Sequence, residues 1–247
     1  MFANKHLGYI SLEKLKEYTA CDISDALLKL KVPGAGLVPD VSIVGPAPEA
    51  SHSEKGPTRV EIAPASTVIF APKGATKAFP PSDGYEYPPP NVPSGSHWAD
   101  LTQPGSFVVI RQPDKHKNAV CGGIMALRIK ALQAKGILVW GRVRDVQELK
   151  STGLPIWARG FSTVGAGASC TPWAIQTPIN VDGGTIVRPG DIVFSDPENG
   201  IVVIPKDLVD NVVALLPQLV EADDKVKADV LKGMKIQEAF KLHRGNL

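Results

Sequence analysis

A single mixed α/β domain, layered from sheet and helix, is the fold this sequence predicts, and three observations predict it. One strand–helix–strand unit is legible between residues 107 and 145. Strands and tight turns flank it on both sides, and the 23 glycines and 22 prolines suit turns better than a helical bundle. Apolar residues at helical spacing otherwise recur near the two ends, around residues 12–30 and after 207. A length of 247 residues fits one domain with embellishments.

The hydrophobic share of 43% is enough for a sizeable core. A formal net charge of +2 with no basic stripe argues against nucleic acid as a partner. Cys21, Cys121 and Cys170 are widely spaced and read as free buried thiols in a reducing compartment. No apolar run approaches membrane-spanning length, and neither the start nor the closing Gly245-Asn246-Leu247 carries a targeting pattern. The expectation is a cytoplasmic protein with no membrane partner.

In chain order, Ser11 caps a first helix bearing Leu12, Leu15 and Tyr18. A second helix runs from about Asp22 with Ile23, Ala26, Leu27 and Leu30 inward, and Pro33-Gly34 closes it. Ser24-Asp25 in its first turn is either a capping pair or a ligand contact. Strands are expected at residues 41–44 and 67–70. The proline-rich stretch 80–93 is a surface insertion, ordered if Tyr85 and Tyr87 pack. A short helix at residues 97–101 precedes Pro104-Gly105, which turns the chain into a strand at 107–110.

Gly122-Gly123 then opens a helix with Ile124, Leu127, Ala131, Leu132 and Ala134 on its apolar face, stopped by Gly136. Residues 137–140 form a buried strand, and Gly141-Arg142-Val143-Arg144-Asp145 follows at its carboxyl end. Ligands collect at such strand ends, and a glycine-preceded helix start attracts anions. A brief helix at 146–152 leads to a strand at 154–159, and Gly165–Ser169 reads as a plain glycine-rich loop. Strands at 179–181, 185–187, 192–195 and 201–204 are joined by Asp-Gly and Asn-Gly turns. Residues 207–216 form an amphipathic helix, and the charged helical tail 217–247 is expected to lie across a surface or a neighbouring subunit.

Gly122-Gly123-Ile124-Met125, the Arg144-Asp145 pair separated from Gly123 by twenty intervening residues, Gly153-Leu154-Pro155-Ile156 and Pro189-Gly190-Asp191 occur together here, as does the run from Asp196-Pro197-Glu198-Asn199-Gly200 to Pro205. In combination they resemble the RraA-like family, which includes 4-hydroxy-4-methyl-2-oxoglutarate aldolases and regulators of ribonuclease E activity. The resemblance covers residues 15–215, and the insertion and tail look like those of fungal members. It implies a layered β/β/α, swivelling-domain-like fold assembled as a homotrimer with sites at subunit boundaries.

By the same resemblance, Asp145 holds a divalent metal, Mg2+ or else Mn2+, with water filling other positions. Arg144 and the backbone amides of Gly122, Gly123, Ile124 and Met125 hold the carboxylate of a 2-oxo acid. Glu198 is either an acid contributed across the subunit boundary or a solvated turn residue. Arg142 is either a second substrate contact or an ion-pair partner. The aldolases commonly carry an acid where this chain has Gly123. The expected function is therefore a metal-dependent carbon–carbon lyase on a short 2-oxo acid, by oxaloacetate decarboxylation or retro-aldol cleavage, with decarboxylation less harmed by the missing acid. The alternative is a non-catalytic trimeric binding protein of the ribonuclease-regulator type.

Overall fold

The computed structural model describes residues 12–45, 60–77, 84–181 and 184–245. Ser11 and residues 80–83 of the insertion lie outside them. The first helix named here, α1 (Ala20–Lys29), starts two residues earlier than its apolar spacing predicts. Its cap is a reciprocal pair, Thr19 with Asp22, rather than Ser24-Asp25.

The strands are β1 (Ser42–Ile43), β2 (Glu61–Pro72), β3 (Phe107–Arg111), β4 (Gly136–Val143), β5 (Ile156–Phe161), β6 (Cys170–Ile175), β7 (Ile179–Val181), β8 (Thr185–Val187), β9 (Ile192–Asp196) and β10 (Gly200–Ile204). Further helices are α2 (Gly123–Ala131), α3 (Val146–Ser151), α4 (Val209–Leu231) and α5 (Ile236–Arg244). One sheet runs β1-β5-β4-β3-β2-β9-β10, with β6 also on β2, and β7-β8 is a separate hairpin. Strands β2, β3, β4 and β5 are mutually parallel in that order. The long β2 serves three partners in turn: β9 along Glu61–Pro64, β3 from Ala65, and β6 from Val68 onward. Strand β6 escaped the sequence reading because Pro172 breaks its pattern; β6 pairs with β2 across an irregular register.

Alternation along the parallel strands divides the core into layers. Val108, Ile110, Ile137, Val139 and Val143 face α2 and α3, meeting Ala126, Ile129 and Leu149. Phe107, Val109, Leu138 and Trp140 face the opposite way, onto Ile179, Val181, Val187, Val193 and Val203. A third cluster joins α1 and α4 to β9 and β10 through Leu27, Phe194, Ile204, Val212 and Leu216. This is the expected layered β/β/α arrangement. Buried Asp191 stitches the second Pro-Gly turn to the chain by accepting from Arg188 N at 2.8 Å and Lys206 N at 3.0 Å.

Two other expectations are corrected. Helix α2 turns Ala126 and Ile129 inward, leaving Ile124 71% and Leu127 48% exposed, and Gly136 begins β4 rather than stopping the helix. Cys21 is exposed, while Cys121 and Cys170 are buried free thiols. The helical tail lies across a surface of its own chain: α4 continues through Pro217 and α5 folds back on it, with Arg244 pairing Asp223. In the insertion, Tyr85 and Tyr87 do pack, edge to face at 4.8 Å, and Trp173 donates to Pro88 O at 2.7 Å.

Candidate functional site

The site is built where β4 ends. Strand pairing between β4 and β5 loses register between Val139 and Arg142, and β4 stops at Val143. The segment before α2 runs alongside this end: Val120 N donates to Arg142 O, Arg144 N donates to Cys121 O, and Cys121 bridges Val143 in parallel. Gly122 is the N-cap of α2 and has no side chain to cap it. The N-terminal turn of α2 is thereby clamped beside Arg144 and Asp145.

Asp145 is the unusual residue. Its backbone is left-handed, φ 59° and ψ 49°, a conformation aspartate tolerates better than most residues. It stands at the N-cap of α3, yet its side chain makes no capping bond there. Instead Oδ2 accepts from Gly123 N at 3.3 Å, the first residue of α2, and lies 3.2 Å from Arg144 Nε. The carboxylate is thus turned away from its own helix and onto the neighbouring one, beside a guanidinium. Both side chains remain about two-fifths exposed, so solvent and small solutes reach them. The first-turn N–H groups of Ile124 and Met125 precede any intrahelical partner and add donors at the same place.

Glycines shape the surroundings. A Cβ at Gly122 would meet Asp145 Oδ2 at 2.7 Å, and one at Gly165 would meet Arg144 Nη1 at 2.9 Å. The loop that reads as plain from sequence therefore lines the arginine. A Cβ at Gly123 would collide with the carboxylate of Glu148 and approach its Cβ to 2.5 Å. Glu148, exposed on the first turn of α3, thus fills the space over Gly123. Its only signal in the sequence is an acid three residues after Asp145 at a helix start, which by itself does not mark a site residue.

The remaining expected residues separate. Arg142 donates from Nη1 to Phe161 O at 2.9 Å rather than to a carboxylate. Glu198 lies in the β9–β10 turn, with β3, β2 and β9 between it and β4 in the sheet. Buried Cys121, next to Gly122, has its thiol pushed up to about 12, first by burial and then by the Asp145 charge, so it is no nucleophile.

Among the described residues no group of three or more His, Cys, Asp or Glu converges as metal ligands. Asp145 offers oxygen donors alone, which suits a magnesium-type ion that keeps several waters rather than a zinc cage.

A family model described as RraA-like, Aldolase/RraA, matches residues 20–203. Relatives include "Putative 4-hydroxy-4-methyl-2-oxoglutarate aldolase" of Halalkalibacterium halodurans, 32% identical over 55% of this chain and 65% of that one. An uncharacterized protein of Methanocaldococcus jannaschii is 31% identical over 52% of this chain and 60% of its own length. These matches span less than two thirds of either relative. Among solved structures, an uncharacterized protein from Pseudomonas syringae superposes with TM-score 0.69 at 22% identity, covering 94% of this chain and 96% of that one. Streptomyces coelicolor RraAS2, a member of the RNase ES inhibitor RraA family, superposes with TM-score 0.63 at 20% identity over 91% and 96%. These likenesses show the fold.

Proposed function

The chain belongs to the RraA-like family, and from that membership and the geometry at the end of β4 we propose that it is a divalent-metal-dependent carbon–carbon lyase acting on a short 2-oxo acid. The observation that carries the reading is the left-handed Asp145, whose carboxylate lies on Gly123 N–H and against Arg144 instead of capping its own helix. A backbone held in that region persists where the surroundings enforce it, and such residues cluster at functional sites. The aldolase name borne by several relatives supports the same chemistry.

Each residue has a role in this reading. Arg144, sleeved by Gly122 and Gly165, presents its guanidinium to the substrate carboxylate, and the Ile124 and Met125 amides add donors. Asp145 would hold a magnesium or manganese ion, which when bound supplies positive charge to polarise the keto group. Glu148 takes the place of an acid at position 123 and accepts the hydroxyl proton that retro-aldol cleavage must release. Decarboxylation of a 3-carboxy-2-oxo acid asks for no such proton acceptor, so it needs only Arg144 and Asp145. Gly123 therefore does not leave the site without an acid.

The exposed Ile124 and Leu127 beside the site favour burial against further copies of the chain, and we read the assembly as a homotrimer. The same apolar stripe supports the second reading, a binding protein of the ribonuclease-regulator kind. An assay of pyruvate release from oxaloacetate and from 4-hydroxy-4-methyl-2-oxoglutarate, with magnesium and then chelator, separates the two. Turnover abolished by chelator supports the lyase, and no turnover with any 2-oxo acid leaves the binding protein.

A further inference from the structure

A second cleft opens at the carboxyl ends of β3, β4 and β5, on the face turned away from α2. It encloses about 450 Å³ and is walled by Arg111, Lys115, Arg159, Trp140 and Tyr85, with Asp114 as its acid. An adjoining hollow shares Asp114, Lys115, Trp140 and Arg159 and adds His116, Lys117 and Arg142. None of Gly122, Gly123, Arg144, Asp145 or Glu148 lines either space.

Arg111 is the anomaly. It is 1% exposed, and its alternation on β3 places it with Phe107 and Val109 on the hairpin-facing side of the sheet. Its Nη2 donates to Asp114 Oδ2 at 3.1 Å and its guanidinium lies 3.4 Å from the centre of the Tyr85 ring. Nε and Nη1 have no hydrogen-bond partner among the described residues, and neither has Trp140 Nε1. Arg159 covers the Trp140 ring at 4.5 Å and reaches Asp40 only at 3.7 Å. Buried donors are almost always paired, and an arginine fork matches the geometry of carboxylate and phosphate. The unpaired groups lining this cleft are all donors, and three cations face one carboxylate across the cavity. The volume exceeds that of a single water many times over, so it admits a molecule larger than a bare ion.

We propose that this cleft is a binding site for a small molecule carrying an oxyanion, a carboxylate or a phosphate, seated on Arg111 Nε and Nη1 and Trp140 Nε1 and gated by Arg159. The site is independent of the lyase reading, since it uses none of the same side chains.

The test titrates the full chain with inorganic phosphate in one arm and malonate in the other, reading tryptophan fluorescence and melting temperature. At least one arm should give a saturable change, and the stronger arm identifies the group recognised. Arg159→Gln, at a half-exposed position that leaves the core intact, should weaken that binding roughly tenfold, and Arg111→Met should weaken it further. Asp145→Ala should leave it unchanged. Absence of saturable change with both anions overturns the site, as does binding that survives both arginine substitutions or disappears with Asp145→Ala.

Discussion

The carboxylate of Glu148 occupies the space that a side chain at Gly123 would need. Two residues 25 positions apart in sequence are thus alternatives for one place in the fold: either position 123 carries a side chain or α3 lends one. We therefore expect Glu148→Gln to lower retro-aldol cleavage by about 10²–10⁴-fold while sparing oxaloacetate decarboxylation. Paired rate measurements under saturating magnesium check this. Equal loss of both activities would make Glu148 a structural or metal-binding residue, and no loss would direct attention to Glu198 of a neighbouring subunit.

Gly123→Ala follows from the same relationship. The new methyl would approach Glu148 Cβ to 2.5 Å, which rotation of a side-chain end cannot relieve. Helix α3 must shift, and overpacking of this kind costs ~1–3 kcal/mol. Chemical denaturation should show that loss together with a fall in aldol cleavage; a variant as stable as the parent would mean that α3 moves freely.

Arg144→Lys keeps the charge and removes the fork. Hydrogen bonds to a charged partner contribute ~1.5–3 kcal/mol, so kcat/KM for a 2-oxo acid should fall by roughly 10–100-fold. The readout is steady-state kinetics across 2-oxo acids of different length. An unchanged kcat/KM would place the substrate carboxylate elsewhere.

Cys121 links the site to pH. Its thiol is pushed up to about 12, so the folded state keeps the proton that the unfolded chain gives up near the ordinary thiol value. Its contribution to stability is complete below that ordinary value. It is lost as pH rises through the interval up to about 12, with a slope of about 1.4 kcal/mol per pH unit. Unfolding free energies of the parent and of Cys121→Ala, compared between pH 8 and 10.5, should converge as pH rises. In native protein at pH 8, alkylation should mark Cys21 and spare Cys121; rapid labelling of Cys121 would contradict the burial.

Much of this architecture was legible because local chemistry and tertiary context agree. Gly122-Gly123 opens α2, the Pro-Gly pairs turn into β3 and β9, and the Asn-Gly turn joins β9 to β10, as their backbone preferences require. Where context overrides pattern, the reading fails. Ile124 and Leu127 keep helical spacing yet face outward, because apolar spacing marks a stripe without saying which stripe meets the sheet. Strand β6 carries a proline and is recognised only through its partner β2. In the site, Arg144, Asp145 and the glycine pair were visible as a motif. Glu148 was not, because its importance rests on empty volume over Gly123, which only the packed fold reveals.

The central claim is that Asp145 holds a metal ion that drives turnover of a 2-oxo acid. The direct measurement is manganese binding by calorimetry alongside metal-dependent pyruvate release, in the parent and in Asp145→Ala. Because Asp145 is two-fifths exposed, its truncation leaves no cavity, and the variant should fold and assemble normally. The account predicts a parent that binds the ion and releases pyruvate, and a variant that does neither. A folded Asp145→Ala protein that still binds manganese and turns over at the parent's rate would contradict it.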